Sequence, residues 1–136
     1  MRIVKSQPPN IEEIRVKFTL SDRVVFTYGS VLWNPGGGLI PDDLMIHEET
    51  HEKQQGDDPA GWWQRYLSDK HFRLEQELEA YRNQYQYFKE TKCVKPTGNV
   101  RQRRLNSFLH RIARDLSSQI YGEMISLEEA EALIQS

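Results

Sequence analysis

The sequence predicts a mainly α-helical α+β domain with one small β element near its N-terminus. Three observations carry that expectation. β-branched and aromatic residues gather between Val24 and Trp33, apolar residues beyond Pro41 recur at intervals of three and four, and helix-start residues precede those runs. At 136 residues the chain fits a single domain, residues 1–136, able to bury a modest core without staples.

Taken in order, Ile11–Leu20 supports two readings. Asn10 can cap a short helix through Ile11, Ile14 and Phe18, while Ile14-Arg15-Val16-Lys17-Phe18 also alternates like a strand. Val24-Val25-Phe26-Thr27-Tyr28 and Val31-Leu32-Trp33 read as strands divided by Gly29-Ser30. Asn34-Pro35-Gly36-Gly37-Gly38 is a loop on composition. Pro41 with Asp42 and Asp43 starts a helix, because acids favour the positive end of the helix dipole. That helix ends near Gln55-Gly56. Asp58-Pro59 opens a short helix holding Trp62, Trp63, Tyr66 and Leu67. Adjacent tryptophans cannot share a helix face, so one is expected in the core and the other partly exposed. A long helix is expected from about His71 to about Lys89, then a break at Pro96-Thr97-Gly98. Beyond it come a helix near Val100–Ser117 and a last one from Ser126, with Glu129 at capping-box spacing.

Charged residues form 28% of the chain and its formal charge is −2, which supplies no overall attraction to nucleic acid or an acidic membrane. A run of about 18 apolar residues would be needed for a membrane span, and none occurs. Met1–Asn10 lacks the apolar core of a secretory signal, so a cytoplasmic location is expected. The single cysteine, Cys93, excludes an internal disulfide and lies in a polar, turn-like stretch, where it is expected to do no chemistry.

The informative stretch is Ile46-His47-Glu48-Glu49-Thr50-His51-Glu52. Residues four apart project from one helix face, so His47 and His51 can reach one ion. Neutral imidazole suits zinc, and Glu48, one step round the helix, is placed to act as general base without being a ligand. Leu44 and Met45 are expected to turn this helix inward as an amphipathic element. A third ligand is expected on the long helix, whose apolar stripe runs Leu74, Leu78, Tyr81, Tyr85 and Phe88. Glu77 lies roughly 60° from the centre of that stripe, whereas Glu75 and Glu79 lie roughly 100–140° away towards solvent. A carboxylate at the edge of a buried face needs a partner. A metal is one; a salt bridge to Arg73 is the alternative. His71 and His110 are expected at the surface.

His47-Glu48-x-x-His51, followed after 25 residues by Glu77-Leu78-Glu79-Ala80, resembles the thermolysin-like gluzincins in their smallest, single-domain form. The chain also resembles a group of small HExxH proteins encoded by phages and prophages. The matching segments are Thr27-Tyr28-Gly29, Trp33-Asn34-Pro35, His47–Gln55, Trp63–Leu67, Phe72–Tyr81 and Leu116–Gly122. The resemblance implies a zincin-like core, Zn2+ held by His47, His51 and Glu77, Glu48 as catalytic base, and a protein or peptide substrate. It further implies host cytoplasm as the location if phage-encoded, and an edge strand, Val24–Tyr28 or Val31–Trp33, that holds the substrate backbone. Two departures stand out. Tyr81 occupies the position where larger gluzincins carry an acid supporting a zinc histidine, and the oxyanion-stabilising residue has no clear counterpart, Tyr121 being the candidate.

Two other readings compete. Zinc can serve only the fold or an interaction surface, which a fourth protein ligand would favour. Arg101, Arg103, Arg104, Arg111 and Arg114 suggest a nucleic-acid module, although no aromatic motif accompanies them and a solvated helix face is expected.

Overall fold

Two long helices, α2 (Asp42–Gln55) and α4 (Lys70–Thr91), lie against each other and carry the predicted metal residues. The structure, a computed structural model, describes residues 1–95 and 97–136; Pro96, part of the expected break, lies outside the described residues. Around that pair, in chain order, are β1 (Arg2–Val4), α1 (Ile11–Lys17), β2 (Phe26–Tyr28), β3 (Val31–Trp33), α3 (Pro59–Ser68), α5 (Gly98–Leu116), a 3-10 turn at Gln119–Tyr121 and α6 (Leu127–Gln135). The described chain is thus mainly helical with a small sheet, as expected. No described helix is long and apolar enough to cross a membrane.

The sheet has the order β1-β3-β2, with β1 parallel and β2 antiparallel to the central β3. Gly29, at φ 65, opens the two-residue turn joining β2 to β3, a backbone region that costs glycine little. β2 begins two residues later than the run Val24–Tyr28 suggested. β1 was not expected at all, because three residues with mostly exposed side chains leave no periodic signal. Its partner, Val31 opposite Arg2, is distant in sequence.

Helix ends follow local chemistry. Asp58 accepts from Gly61 N at 2.9 Å and Asp69 from Phe72 N at 3.0 Å. Ser126 and Glu129 form the expected capping box on α6. The ambiguous Ile11–Leu20 resolves as a helix with Ile14 buried, and Asn10 precedes it without making a side-chain cap.

Two apolar clusters flank the α2–α4 pair. One joins Tyr81 and Tyr85 of α4 to Leu105, Leu109, Ile112 and Leu116 of α5 and to Ala130 and Ile134 of α6. Cys93 is fully buried in it, so the stretch read as polar turns its thiol inward. The other joins Ile14, Phe18 and Phe26 to Trp62, Trp63 and Tyr66. Both tryptophans are 7% exposed, contrary to the expectation that one would be partly open. The reason is that α3 is covered on two sides, with Trp62 Nε1 donating to Gln76 Oε1 on α4 and Trp63 Nε1 to Thr27 O on β2.

The space between the clusters is polar. Every buried residue of α2 is polar: Asp43, His47, Glu48, Thr50, His51 and Gln55. Leu44, Met45 and Ile46 are only half-buried, so the expected amphipathic helix is not what forms. Ala80, wholly buried on α4, leaves room for the opposing helix.

Arg73 ties this region to both flanks. It is 3% exposed, and its guanidinium donates to Tyr66 O at 2.8 Å and Tyr121 O at 3.0 Å. Arg73→Met removes both donors and strands two carbonyls, so a loss of about 3 kcal/mol is expected. Urea titration checks this; a change under about 0.5 kcal/mol, the scale of an ordinary surface substitution, would mean the bridge is not structural.

Candidate metal centre

His47 and His51 stand one turn apart on α2 and bring their Nε2 atoms within 3.1 Å of each other. Glu77 of α4 faces both, with Oε1 3.2 Å from His47 Nε2 and Oε2 3.3 Å from His51 Nε2. All three side chains are buried. Of the three carboxylates considered on α4, Glu77 is the one buried beside the two histidines. Glu75 and Glu79 lie at the surface, and Arg73 spends its donors on main-chain carbonyls, not on Glu77.

These residues can hold a metal ion, and the fit can be tested by distance. Ligands about 2.0–2.1 Å from a tetrahedral centre stand about 3.3 Å from one another. Two separations, 3.1 Å between the Nε2 atoms and 3.2 Å from His47 Nε2 to Glu77 Oε1, are close to that edge length, and His51 Nε2 lies 3.3 Å from the second oxygen, Oε2. Tyr66 Oη donates to Glu77 Oε2 at 2.6 Å, while Glu77 Oε1 is buried and has no hydrogen bond. An orphaned carboxylate oxygen beside two converging imidazole nitrogens is what a cation site looks like without its cation.

The far side of each imidazole is also engaged. His47 Nδ1 lies 3.0 Å from Gln84 Oε1, and Gln84 Nε2 donates to Asp43 Oδ2 at 2.8 Å. His51 Nδ1 lies 2.8 Å from Gln54 Oε1, and Gln54 Nε2 donates to Gln76 O at 3.0 Å and Glu79 Oε1 at 2.8 Å. Tyr81 packs edge-on against His47, with ring centroids 4.4 Å apart, so it is a packing partner of that ring.

Glu48 is buried and lines the same cleft as His47, His51 and Glu77. Thr27 on β2 holds it, donating from Oγ1 to Glu48 Oε2 at 2.7 Å. Apolar side chains of Ile14, Phe18, Leu20, Val24 and Phe26 wall the cleft. Tyr121 lines it as well; its hydroxyl is 2.8 Å from Tyr81 Oη, and its ring packs against both apolar clusters.

Burial alone would lower the pKa of His51, but the Glu77 carboxylate, helped by Glu48, carries it up to about 9. Burial pushes Glu77 up, yet His51 and His47 hold it well below the usual carboxylate range. Burial, then the Glu77 charge, keeps the Tyr66 and Tyr121 hydroxyls protonated far above their ordinary range. In the metal-free protein a proton thus does the work of the cation.

The remaining candidates lie elsewhere. His71 pairs with Glu75 at 3.2 Å and His110 with Glu131 at 3.0 Å, both histidines exposed. Of the α5 arginines, Arg101 donates to Cys93 O, Arg104 to Lys92 O, and Arg111 sits over the Phe108 ring. Four residues with site contacts were not picked out from sequence: Thr27, Gln54, Tyr66 and Gln84. Spacing held a signal for two. Gln84 falls seven residues after Glu77 and Gln54 three after His51, each on the ligand face.

No protein-family model, curated protein or solved structure matches the chain.

Loading a dication displaces the proton held near His51 with a pKa of about 9. Below about pH 9 the apparent affinity for a dication such as zinc should therefore rise about tenfold per pH unit, and it should level off above that pH. Competition against a chelator of known affinity measures this, and a flat profile would place zinc elsewhere.

Proposed function

We propose that the chain is a zinc-dependent hydrolase of peptide bonds, with His47, His51 and Glu77 as ligands and Glu48 as general base. One observation carries this reading: three buried donors converge beside an open cleft that Glu48 also lines. Among the described residues no fourth His, Cys, Asp or Glu joins that group. A three-ligand set leaves a coordination position for reaction, which distinguishes catalytic from structural zinc. The resemblance to the gluzincins supports the same assignment and suggests a zincin-like core.

A zinc ion in such a site acidifies a water molecule and polarises a carbonyl oxygen. The residues of the chain supply the rest. Glu48, fixed by the Thr27 hydroxyl, accepts the proton of the attacking water and returns it to the departing amine. Tyr66 holds Glu77 by Oε2, leaving Oε1 for coordination. Tyr121 Oη, kept protonated by burial, is the hydroxyl in the cleft suited to developing negative charge on the carbonyl oxygen. The apolar walls around Phe18 and Phe26 suit a substrate with apolar side chains and limit bulk water near the reacting groups.

The decisive variant is Glu48→Gln. It should retain about one zinc per chain and lose cleavage of an unfolded protein or a quenched-fluorescence peptide mixture by about 10²–10⁴-fold. Equal rates for variant and parent would remove Glu48 from the mechanism. His51→Ala should lose the metal by elemental analysis. Full zinc affinity in Glu77→Ala would mean that the third ligand is misassigned.

A further inference from the structure

We infer that Gln84 and Gln54 are positioning residues, two neutral amides that lock His47 and His51 into the tautomer with the proton on Nδ1. This rests on the reading of His47, His51 and Glu77 as a metal site, and it extends that reading to residues outside the ligand set.

The direction of each amide follows from its partners. Gln84, 5% exposed, has the Asp43 carboxylate at 2.8 Å from its nitrogen. Gln54 has both a main-chain carbonyl, Gln76 O, and the Glu79 carboxylate within 3.0 and 2.8 Å of its nitrogen. Carbonyls and ionised carboxylates only accept hydrogen bonds, so both NH2 groups point at them. The amide oxygens therefore face the imidazoles, 3.0 Å from His47 Nδ1 and 2.8 Å from His51 Nδ1. An amide oxygen cannot donate, so each Nδ1 must carry the hydrogen. Each ring then presents Nε2 to the shared point opposite Glu77.

Both chains of hydrogen bonds cross between the central helices. The first runs from α2 to α4 and back, His47–Gln84–Asp43. The second runs along α2 and then over to α4, His51–Gln54–Glu79. In each, a carboxylate fixes the amide and the amide fixes the ring. The full negative charge stays one side chain away from the imidazole, so orientation is supplied without placing a carboxylate against the ligand. That differs from a carboxylate bonded directly to Nδ1, the commoner support of a zinc histidine.

The tautomers of metal-free protein are readable in long-range proton–nitrogen NMR spectra above the pH at which the imidazoles are neutral. Both histidines of the parent should carry the proton on Nδ1. In Gln84→Met, His47 should shift towards the Nε2–H form that a free imidazole favours, while His51 is unchanged. Gln54→Met should do the converse. Zinc affinity, read by chelator competition, should fall about 10–100-fold in each. Either variant with parental tautomers, and zinc affinity within about twofold, overturns the proposal. Loss of affinity with unchanged tautomers also overturns it, since a purely structural role would produce that. Gln54, only partly buried, provides the test on His51 if Gln84→Met does not fold. Failure of the parent to bind zinc would defeat the metal-site reading, whereas the tautomer shifts would still decide the role of the amides.

Discussion

The constraint on which this structure depends is the burial of a wholly polar helix face. Asp43, His47, Glu48, Thr50, His51 and Gln55 all turn inward from α2, and none brings apolar area to stabilise the fold. A buried polar group without a partner costs about 1–3 kcal/mol, so each needs an opposing donor or acceptor. The neighbours are built to that requirement. α4 supplies Glu77, Gln84 and, through Asn83, a donor to Thr50 Oγ1 at 3.1 Å. β2 supplies Thr27, whose hydroxyl meets Glu48 and whose carbonyl accepts from Gln55 at 2.7 Å. The apolar clusters on either side provide the driving force that α2 lacks, and their separation defines the polar slot it fills.

Within that slot one point remains electrostatically incomplete. With both Nδ1 hydrogens directed at amides, His47 Nε2 lies 3.1 Å from His51 Nε2 and 3.2 Å from Glu77 Oε1, and His51 Nε2 lies 3.3 Å from Glu77 Oε2. Lone pairs at those distances repel unless a positive charge lies among them. The raised affinity of His51 for a proton expresses this need in the metal-free chain, and a small dication satisfies it at all three side chains together. Tyr66 contributes by occupying Glu77 Oε2, which settles the oxygen left for the cation.

Most helices were legible because their ends are written in short-range chemistry. Asp58 before Pro59 and Ser126 before Glu129 mark starts that depend on three or four adjacent residues. Glu77 was legible for a related reason: its angle to the apolar stripe of α4 is a property of one helix alone. Long-range pairing was not legible. β1 exists through its partner β3, and both tryptophans are buried because two different elements accept their indole N–H groups. The inward face of α2 was misread because hydrophobic periodicity registers only apolar burial. Thr27 and Tyr66 share that difficulty, since each reaches the site from another element through a polar atom. Nothing in the local pattern of a threonine in a strand or a tyrosine among tryptophans identifies its distant acceptor.

The same polar contacts bear on how a peptide can lie in the proposed site. β3 was one of two strands expected to hold the substrate backbone, but it is the centre of the sheet, paired on both sides. β2 is an edge, and part of that edge is already used. Thr27 O accepts from Gln55 Nε2 and Trp63 Nε1, and Gly29 N donates to Gln55 Oε1 at 2.8 Å. One glutamine side chain thus bonds the strand at two points, as a neighbouring strand would. Backbone pairing by a bound peptide is confined to the chain before that closure, towards Val24 and Val25, which line the cleft. Affinity for substrate then has to come mainly from side chains in the apolar cleft and from the groups around Glu48, not from a long run of strand hydrogen bonds.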